Sequence, residues 1–190
     1  MERLVCDTNG LQLSRRSETS ATEQMRTAVA LGSNVGDRLE NLRTARRAIF
    51  DLANINPPLL PSAVYETKPV GCEPGAKKFL NAVVEFEYEG DPAHLLERLI
   101  RIEEALGRKR GHPQNLSRTM DIDLLYYGDQ RINNERLELP HPRLHLREFV
   151  LRPLADIRPD LMPPGQKKSV PDLLGEVERS GEVIRFAEEW

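Results

Sequence analysis

The ten-residue stretch FLNAVVEFEY, residues 79–88, is the most strand-like segment of the chain and decides its fold class. Side chains alternate across a strand, so the even-numbered positions form one continuous apolar face. These positions are Leu80, Ala82, Val84, Phe86 and Tyr88. Phe79 and Asn81 therefore point away from that face together. A strand with this pattern predicts a sheet with a helical layer packed on its apolar side.

Strands and helices alternate around this segment. Residues 27–33, TAVALGS, form a short apolar strand, and the segment after them carries apolar residues at the helical period. Asp37, with Glu40 three residues later, predicts where that helix begins. Asp91 followed by Pro92 predicts the start of a second helix.

The remaining segments complete the expected architecture. Residues 62–67 and 118–127, SAVYET and RTMDIDLLYY, are predicted strands, and residues 137–157 contain a short strand, a loop and a helix. No internal repeat is present in the sequence. The order of elements predicts an α+β sandwich in which helices pack on a small, mainly antiparallel sheet.

The 190 residues suffice for one domain with a segment at each end. Residues 1–24 are rich in Ser, Thr, Asn, Gln and charge, which predicts a disordered extension. Residues 25–160 are expected to form the folded functional domain. In the tail, residues 161–190, VPDLLGEV predicts a helix and EVIRF a strand. We expect this tail to pack on the domain or extend it.

Composition excludes several functional classes. A net charge of −3 and a pI near 5.9 argue against a general nucleic-acid binder. No stretch approaches the roughly 18 to 20 apolar residues of a membrane span, and the N-terminus lacks the apolar core of a signal peptide. Cys6 and Cys72 form neither a disulfide framework nor a zinc motif. We expect a soluble, cytoplasmic monomer that binds neither nucleic acid nor membrane.

Two aspartates lie one residue apart in RTMDIDLLYY. Asp121 and Asp123 project from one face of the predicted strand, and Met120, Ile122 and Leu124 from the other. Two like charges side by side cost free energy unless a positive group compensates them. Carboxylates so placed suit Mg²⁺, which takes one or two protein carboxylates and completes its shell with water and substrate phosphates. The alternative is that both simply face solvent on an edge strand.

Cationic side chains flank this strand on both sides in sequence. They are Arg108, Lys109, Arg110 and Arg118 before it, and Arg136, His141, Arg143, His145 and Arg147 after it. Arginines are forked donors to phosphate oxygens, which Mg²⁺ bridges. One basic loop would often be a solvated surface, but two loops around an aspartate pair favour a polyphosphate site.

Other catalytic motifs are absent from the sequence. The turn Gly32-Ser33-Asn34 fits neither the P-loop pattern nor GxGxxG, so a Walker-type NTPase and a dinucleotide binder are not supported. No GxSxG is present, and neither cysteine has a histidine nearby in sequence. His141 and His145 lie in a proline-flanked loop and lack the helical spacing of a zincin motif.

Six segments, in order, resemble those of the 6-hydroxymethyl-7,8-dihydropterin pyrophosphokinases of folate biosynthesis. They are ALGSNVGDRLENL (30–42), YETKPVG (65–71), FLNAVV (79–84), RIEEALGRKR (101–110), SRTMDIDLLYYGD (117–129) and LELPHPRLHLREFVLRPLADI (137–157). The most specific part is RTxDxD followed by PHxR and REF-x-LxPL. This resemblance implies a ferredoxin-like fold. It also implies transfer of pyrophosphate from ATP to the hydroxymethyl group of the pterin, giving AMP and the pterin diphosphate.

The resemblance assigns roles to candidate residues. It implies that Asp121 and Asp123 bind two Mg²⁺ ions that bridge the phosphates of the co-substrate ATP. Arg108 and Arg118 complete the implied catalytic group. The implied ATP-binding residues are Glu103, Arg110, Leu124, Arg136, His141 and Arg147. The implied pterin-binding residues are Gly32, Ser33, Asn34, Thr67, Val70, Phe79, Asn81 and Phe149.

The implied pterin pocket agrees with the strand pattern. Phe79 and Phe149 would sandwich the flat ring while Asn81 hydrogen-bonds its edge, and the alternation of residues 79–88 already places Phe79 and Asn81 on one face. Two positions depart from the family. Asn115-Leu116-Ser117 replaces a Trp-Gly-Pro run that many members carry, and Pro142 stands where an aromatic residue is common.

A different functional class is also compatible with the fold. A non-catalytic module that binds a nucleotide or a pterin could be built on the same ferredoxin-like scaffold. Such a module would not need two metal carboxylates together with cations from two loops, so the enzyme is favoured. An RNA-binding domain of this fold would show stacking aromatic residues in an RNP pattern, which the strands lack.

Overall fold

The computed structural model describes residues 24–69, 75–107, 117–177 and 183–190. The strands in these ranges are β1 (Met25–Ser33), β2 (Ile55–Pro61), β3 (Val64–Thr67), β4 (Phe79–Tyr88), β5 (Asp121–Tyr127), β6 (Ile132–Asn133), β7 (Glu138–Leu139) and β8 (Val183–Ala187). The helices are α1 (Arg38–Phe50), α2 (Pro92–Ala105), α3 (Glu148–Ile157) and α4 (Val170–Glu176). The predicted extension, apart from Gln24, lies outside the described residues.

The main sheet has the strand order β5-β1-β4-β3-β8, and all neighbouring strands are antiparallel. If β2 is set aside, β1 to β5 follow the chain order strand, helix, strand, strand, helix, strand. The order β5-β1-β4-β3 is the arrangement of the ferredoxin-like fold. The predicted α+β sandwich is therefore confirmed. Among the described residues, no helix is both long and apolar enough to span a membrane.

One face of the sheet packs against α1 and α2 and forms the main core. The five even-numbered residues of β4, from Leu80 to Tyr88, are all buried there, as the alternation predicted. The predicted helix starts are also confirmed. The Asp37 carboxylate accepts a hydrogen bond from the Glu40 N–H, and that of Asp91 accepts one from the Ala93 N–H.

Strand β2 was not predicted. Its sequence, INPPLLP, contains three prolines, which cannot donate to a sheet and therefore argue against a strand. The strand pairs with β4 on either side of an irregularity between Asn56 and Leu60, and Pro57 and Pro58 fall in the interruption. β2 is thus a broken side branch of the sheet.

Helices α3 and α4 cover only part of the opposite face. Ala28, Val83, Leu125 and Tyr126 pack there in a second apolar cluster with both helices. Glu85 is also buried on this side, and its carboxylate accepts hydrogen bonds from Tyr126 and Arg158. The rest of this face, toward the other end of the strands, lies outside the cluster.

Strand β5 departs from simple alternation at its second half. Ile122 and Leu124 face the main core, but Leu125 and Tyr126 both lie in the second cluster. The register with β1 shifts between Ala28 and Val29, which marks a β-bulge. Met120, Ile122 and Leu124 therefore share one face as predicted, and the alternation breaks only between Leu125 and Tyr126.

The tail contributes the two predicted elements. Helix α4 begins with a capping box between Ser169 and Asp172, and β8 pairs with β3 as the outer strand of the sheet. The final residue, Trp190, is buried, and its indole N–H donates to the carbonyl of Ser62 at 2.7 Å. The tail therefore extends the sheet rather than standing apart from it.

Candidate functional site

Three neighbouring strands align predicted site residues in a single row. Gly32 of β1 is the register partner of Asn81 on β4 and of Asp121 on β5. A Cβ added to Gly32 would lie 3.2 Å from Asn81 Oδ1 and 3.9 Å from both the Phe79 ring and Asp121 Cβ. The missing side chain of Gly32 therefore leaves a space that is bounded by an amide, an aromatic ring and a carboxylate.

Each aspartate of the predicted metal pair contacts an arginine. Arg118 Nη1 donates to Asp121 Oδ1 at 2.7 Å, and Arg147 Nη1 donates to Asp123 Oδ2 at 2.8 Å. The two carboxylate side chains keep 28% and 33% of their surface exposed, so both remain accessible from solvent. The structure thus supplies the positive charge that the pair requires. One arginine comes from the basic segment before β5 and the other from the segment after it.

His141 lies beside the same pair. Its Nε2 is 3.8 Å from Asp123 Oδ2, which is longer than a hydrogen bond, and its Nδ1 accepts the N–H of Arg143. Burial lowers the pKa of His141 below its usual value, against the opposing effect of Asp123. Burial thus favours the neutral ring, which carries its proton on Nε2 when Nδ1 accepts the N–H of Arg143.

A cleft of about 220 Å³ adjoins His141. It lies between the β6–β7 hairpin and the tail, and its polar lining residues are Arg131, Asn133, Glu138, His141, His145 and Gln166. Pro142, one of the departures from the family pattern, also lines it. His141 is thus shared between this cleft and the aspartate pair.

Glu103 supports the aspartate strand from beneath. It is buried on α2, and its Oε1 accepts the backbone N–H of Ile122 at 2.7 Å. Ile122 lies between Asp121 and Asp123, so this bond fixes the backbone that presents both carboxylates. Glu103 is a predicted ATP contact. In the structure, its Oε1 accepts a hydrogen bond from the backbone of β5.

Asn34 is fully buried and joins three segments. Its Oδ1 accepts the Arg118 N–H at 2.7 Å, and its own N–H donates to the Arg118 carbonyl at 3.2 Å. Its Nδ2 donates to Ser117 Oγ and to the carbonyl of Lys77. The side chain, predicted to lie beside the pterin, therefore ties the turn after β1 to the start of β5 and to the approach to β4.

Two other predicted contacts have side chains directed away from the open face, which is the part of the sheet surface around Asn81 and Asp121 that lies outside the second cluster. Ser33 Oγ accepts a hydrogen bond from Asn41 Nδ2 on α1, because Ser33 alternates with Gly32 across β1. Leu124 packs in the main core with 4% of its surface exposed. Contacts of these two residues with a ligand on the open face would have to be made by their backbone.

Asn41 was missed by sequence reasoning. Besides Ser33, its Nδ2 donates to the carbonyls of Val35 and Thr119, which joins the first turn of α1 to the approach to β5. An asparagine within a helix, where it is intrinsically unfavourable, was the signal available in the sequence.

Two of the predicted pterin residues, Phe79 and Asn81, adjoin the space at Gly32. Asn81 Nδ2 donates to Thr67 Oγ1 at 2.7 Å, which turns its Oδ1 toward Gly32. Phe149 is partly buried in the first turn of α3, and the Arg147 guanidinium lies 5.4 Å from its ring centre. Arg147 thus touches both a predicted pterin residue and the aspartate pair.

Three of the predicted residues cannot be placed, and one described residue makes no described contact with the aspartates. Val70, Arg108 and Arg110 lie outside the described residues. Arg136 is exposed in the turn between β6 and β7, where its N–H donates to Asn134, and no described contact joins its side chain to the aspartates.

The donor set suits a hard cation that is shared with a substrate. In the described ranges, no three His, Cys, Asp or Glu side chains form a metal cage. Mg²⁺ commonly binds one or two carboxylates and takes its remaining ligands from water and phosphate. The exposed pair Asp121 and Asp123 fits that mode.

Comparisons with known proteins identify the family of the chain. A family model described as 7,8-dihydro-6-hydroxymethylpterin-pyrophosphokinase (HPPK) matches residues 28–159. A 2-amino-4-hydroxy-6-hydroxymethyldihydropteridine pyrophosphokinase of Haemophilus influenzae is 41% identical over 139 residues, which cover 73% of this chain and 85% of the relative. The Bacillus subtilis protein of the same name is 43% identical over 129 residues, with coverages of 68% and 75%.

A solved structure shows the same fold at low identity. A Plasmodium falciparum HPPK-DHPS triple mutant with pteroate superposes with a TM-score of 0.62 at 13% identity. The match covers 83% of this chain and 44% of that longer one. Since the family model spans most of the chain and its relatives match over most of their own length, the chain belongs to the HPPK family.

Proposed function

We propose that the protein transfers pyrophosphate from ATP to the hydroxymethyl group of 6-hydroxymethyl-7,8-dihydropterin, giving AMP and the pterin diphosphate. The observation that carries this proposal is the row Asn81, Gly32 and Asp121. It sets a space suited to a flat polar ring directly beside a carboxylate pair with two arginines. One substrate bearing a ring and one bearing phosphates can meet there.

Asp121 and Asp123 are the proposed ligands of two Mg²⁺ ions. These carboxylates would hold the Mg²⁺ ions, which would supply Lewis-acid stabilisation of the negative charge on the phosphates of ATP. The chain's own contribution is rigidity, because Glu103 and the β1 pairing hold the strand between the two carboxylates. Held in this way, the backbone that presents both carboxylates is already in place when substrate arrives.

Arg118 and Arg147 are the proposed hydrogen-bond donors to the phosphates of ATP. Each is already oriented by an aspartate, so part of the entropy cost of placing a long side chain is met before ATP binds. Their remaining N–H groups suit phosphate oxygens. The neutral His141 can donate a further hydrogen bond through Nε2 without adding a full charge.

Asn81 is the residue proposed to hydrogen-bond to the edge of the pterin ring. Thr67 fixes the amide so that Oδ1 faces the space at Gly32, where it can accept an N–H of the ring. Phe79 and Phe149 supply aromatic surface for the ring faces. A pure binding module remains the alternative, but it would have no need for the paired carboxylates.

The test of the proposed function is the product formed. Purified protein with Mg²⁺, ATP and the hydroxymethyl dihydropterin should release AMP, resolved by chromatography. Excess EDTA should abolish release, and added Mg²⁺ should restore it. No AMP with both substrates present would contradict the proposal, and so would ADP, which indicates transfer of a single phosphoryl group. AMP formation that is unaffected by EDTA would contradict the metal assignment.

Replacing Asn81 with leucine should weaken pterin binding selectively. The change keeps the branched shape of the side chain but removes the amide, so a pterin N–H loses its acceptor on binding. We expect KM for the pterin to rise about tenfold or more, with KM for ATP within about twofold. Asn56→Leu on β2 is the matched control, because its side chain makes no hydrogen bond among the described residues. An equal rise in both KM values would argue against the assignment.

A further inference from the structure

The C-terminal strand β8 lies beside the strand that leads into the pterin pocket. In the register with β3, Val183 pairs with Thr67 and Arg185 pairs with Tyr65. Thr67 is the residue that orients Asn81. β8 falls outside the region matched by the family model, residues 28–159. None of the candidate site residues lies on this strand.

Arg185 joins β8 to both β3 and α3. Its Nη2 donates to Tyr65 Oη at 3.0 Å and to Asp156 Oδ1 at 3.0 Å. The Tyr65 hydroxyl in turn donates to the Asp156 carboxylate at 2.9 Å. One carboxylate on the helix is thus held by a phenol from one strand and a guanidinium from the next.

This three-residue link connects the two elements that would carry the walls of the proposed pterin slot, the sheet with Asn81 and α3 with Phe149. Tyr65 is buried, and its register partner on β4 is Asn81. Asp156 is seven residues after Phe149 on α3, two helical turns or about 10 Å along the axis. Since Asn81 lies on the sheet and Phe149 on the helix, the link determines how far apart they sit.

The tail is anchored beyond the link as well. The buried Trp190 donates to Ser62, two residues before β3, and Arg46 of α1 lies 4.6 Å over its ring. An exposed arginine–aspartate pair contributes little by itself. Here the same carboxylate also accepts a partly buried hydrogen bond from the phenol of Tyr65, so loss of Arg185 would weaken a network of three groups and not a single pair.

The phosphate half of the site is held by different contacts. Arg147 precedes α3 but is fixed by Asp123, and β5 is fixed by Glu103 and Asn34. A small shift of α3 against β3 would therefore move Phe149 relative to Asn81, whereas Glu103 and Asn34 would still hold β5 and its aspartates. Its effect should fall more on the pterin than on ATP.

We propose that Arg185, Tyr65 and Asp156 form a positioning link that sets the width of the pterin slot, with the C-terminal strand as its outer member. The proposal rests on the proposed function. None of the three residues is a catalytic residue, because they act through the placement of Phe149 and Asn81.

The test compares Arg185→Gln and Tyr65→Phe with the full-length wild type. Each should raise KM for the pterin about fivefold, with KM for ATP and kcat within about twofold. Arg185→Lys, which keeps the charge and one donor, should recover part of the loss. The matched control is Lys168→Gln, which removes another tail ion pair, to Glu176, without touching β3. It should leave both KM values unchanged.

A second readout does not depend on activity. Amide hydrogen exchange in residues 64–67 and 148–156 should be faster in Arg185→Gln than in wild type, and unchanged in Lys168→Gln. If wild type forms AMP but the variants keep the wild-type pterin KM, the link is overturned and the proposed function stands. Equal increases in both KM values, or unchanged exchange, also overturn the link. If wild type forms no AMP, the proposed function fails and the link fails with it.

Discussion

An Asp121→Asn, Asp123→Asn double variant should lose about 1,000-fold or more of kcat while remaining folded. Asparagine keeps the shape and an acceptor oxygen for Arg118 and Arg147, but it removes both negative charges on which Mg²⁺ binding would depend. Stability should change by no more than about 1 kcal/mol, since both ion pairs are partly exposed. The measurements are AMP formation under saturating substrates and thermal unfolding.

The control for this variant is Asp129→Asn. Asp129 is exposed in the turn that follows β5, so the substitution removes a nearby charge without touching the pair. It should retain wild-type kcat. If the double variant kept a tenth or more of wild-type activity, Asp121 and Asp123 could not be the metal ligands.

Replacing Asn34 with alanine should be the most damaging single change to the site's framework. The substitution removes three partly buried side-chain hydrogen bonds, so the Arg118 N–H and the Lys77 carbonyl lose their partner. The loss of these three bonds should cost about 2 to 4 kcal/mol of unfolding free energy. Because Arg118 would lose its fixed position, kcat should fall about 100-fold as well.

Urea unfolding and steady-state kinetics test this expectation. Ser117→Ala is the graded comparison, because it removes only one of the same hydrogen bonds. It should cost about 1 kcal/mol or less and leave most of the activity. Equal effects of the two substitutions would show that Asn34 does not act as the common junction.

The sheet could be predicted because its signals are local. The alternation of residues 79–88 fixed which side of β4 is apolar, and it placed Phe79 and Asn81 together before any pairing was known. Asp37 and Asp91 predicted the starts of two helices for the same reason, because an N-cap residue interacts with backbone groups within three residues of it. β2 escaped prediction because its prolines oppose a strand locally, and only its pairing with β4 overrides them.

The supporting contacts of the site could not be predicted in the same way. Asp121 and Asp123 are neighbours in sequence, so their shared face follows from strand geometry alone. Glu103 and Asn34 instead bond to residues 19 and 84 positions away, and nothing in their local sequence names those partners. The resemblance to HPPK predicts that Glu103 contacts ATP and that Asn34 contacts the pterin. In the structure, both side chains accept hydrogen bonds from backbone N–H groups.

The row through Gly32 has a consequence for inhibitor chemistry. Asn81 and Asp121 are each one strand away from Gly32, so their backbones are separated by two interstrand spacings, about 10 Å. That separation is set by backbone hydrogen bonds and not by side-chain packing, so it should stay constant through turnover. A single compound that joins a pterin to a metal-chelating group would therefore need a tether of fixed length, and a rigid tether should bind better than a flexible one of equal reach.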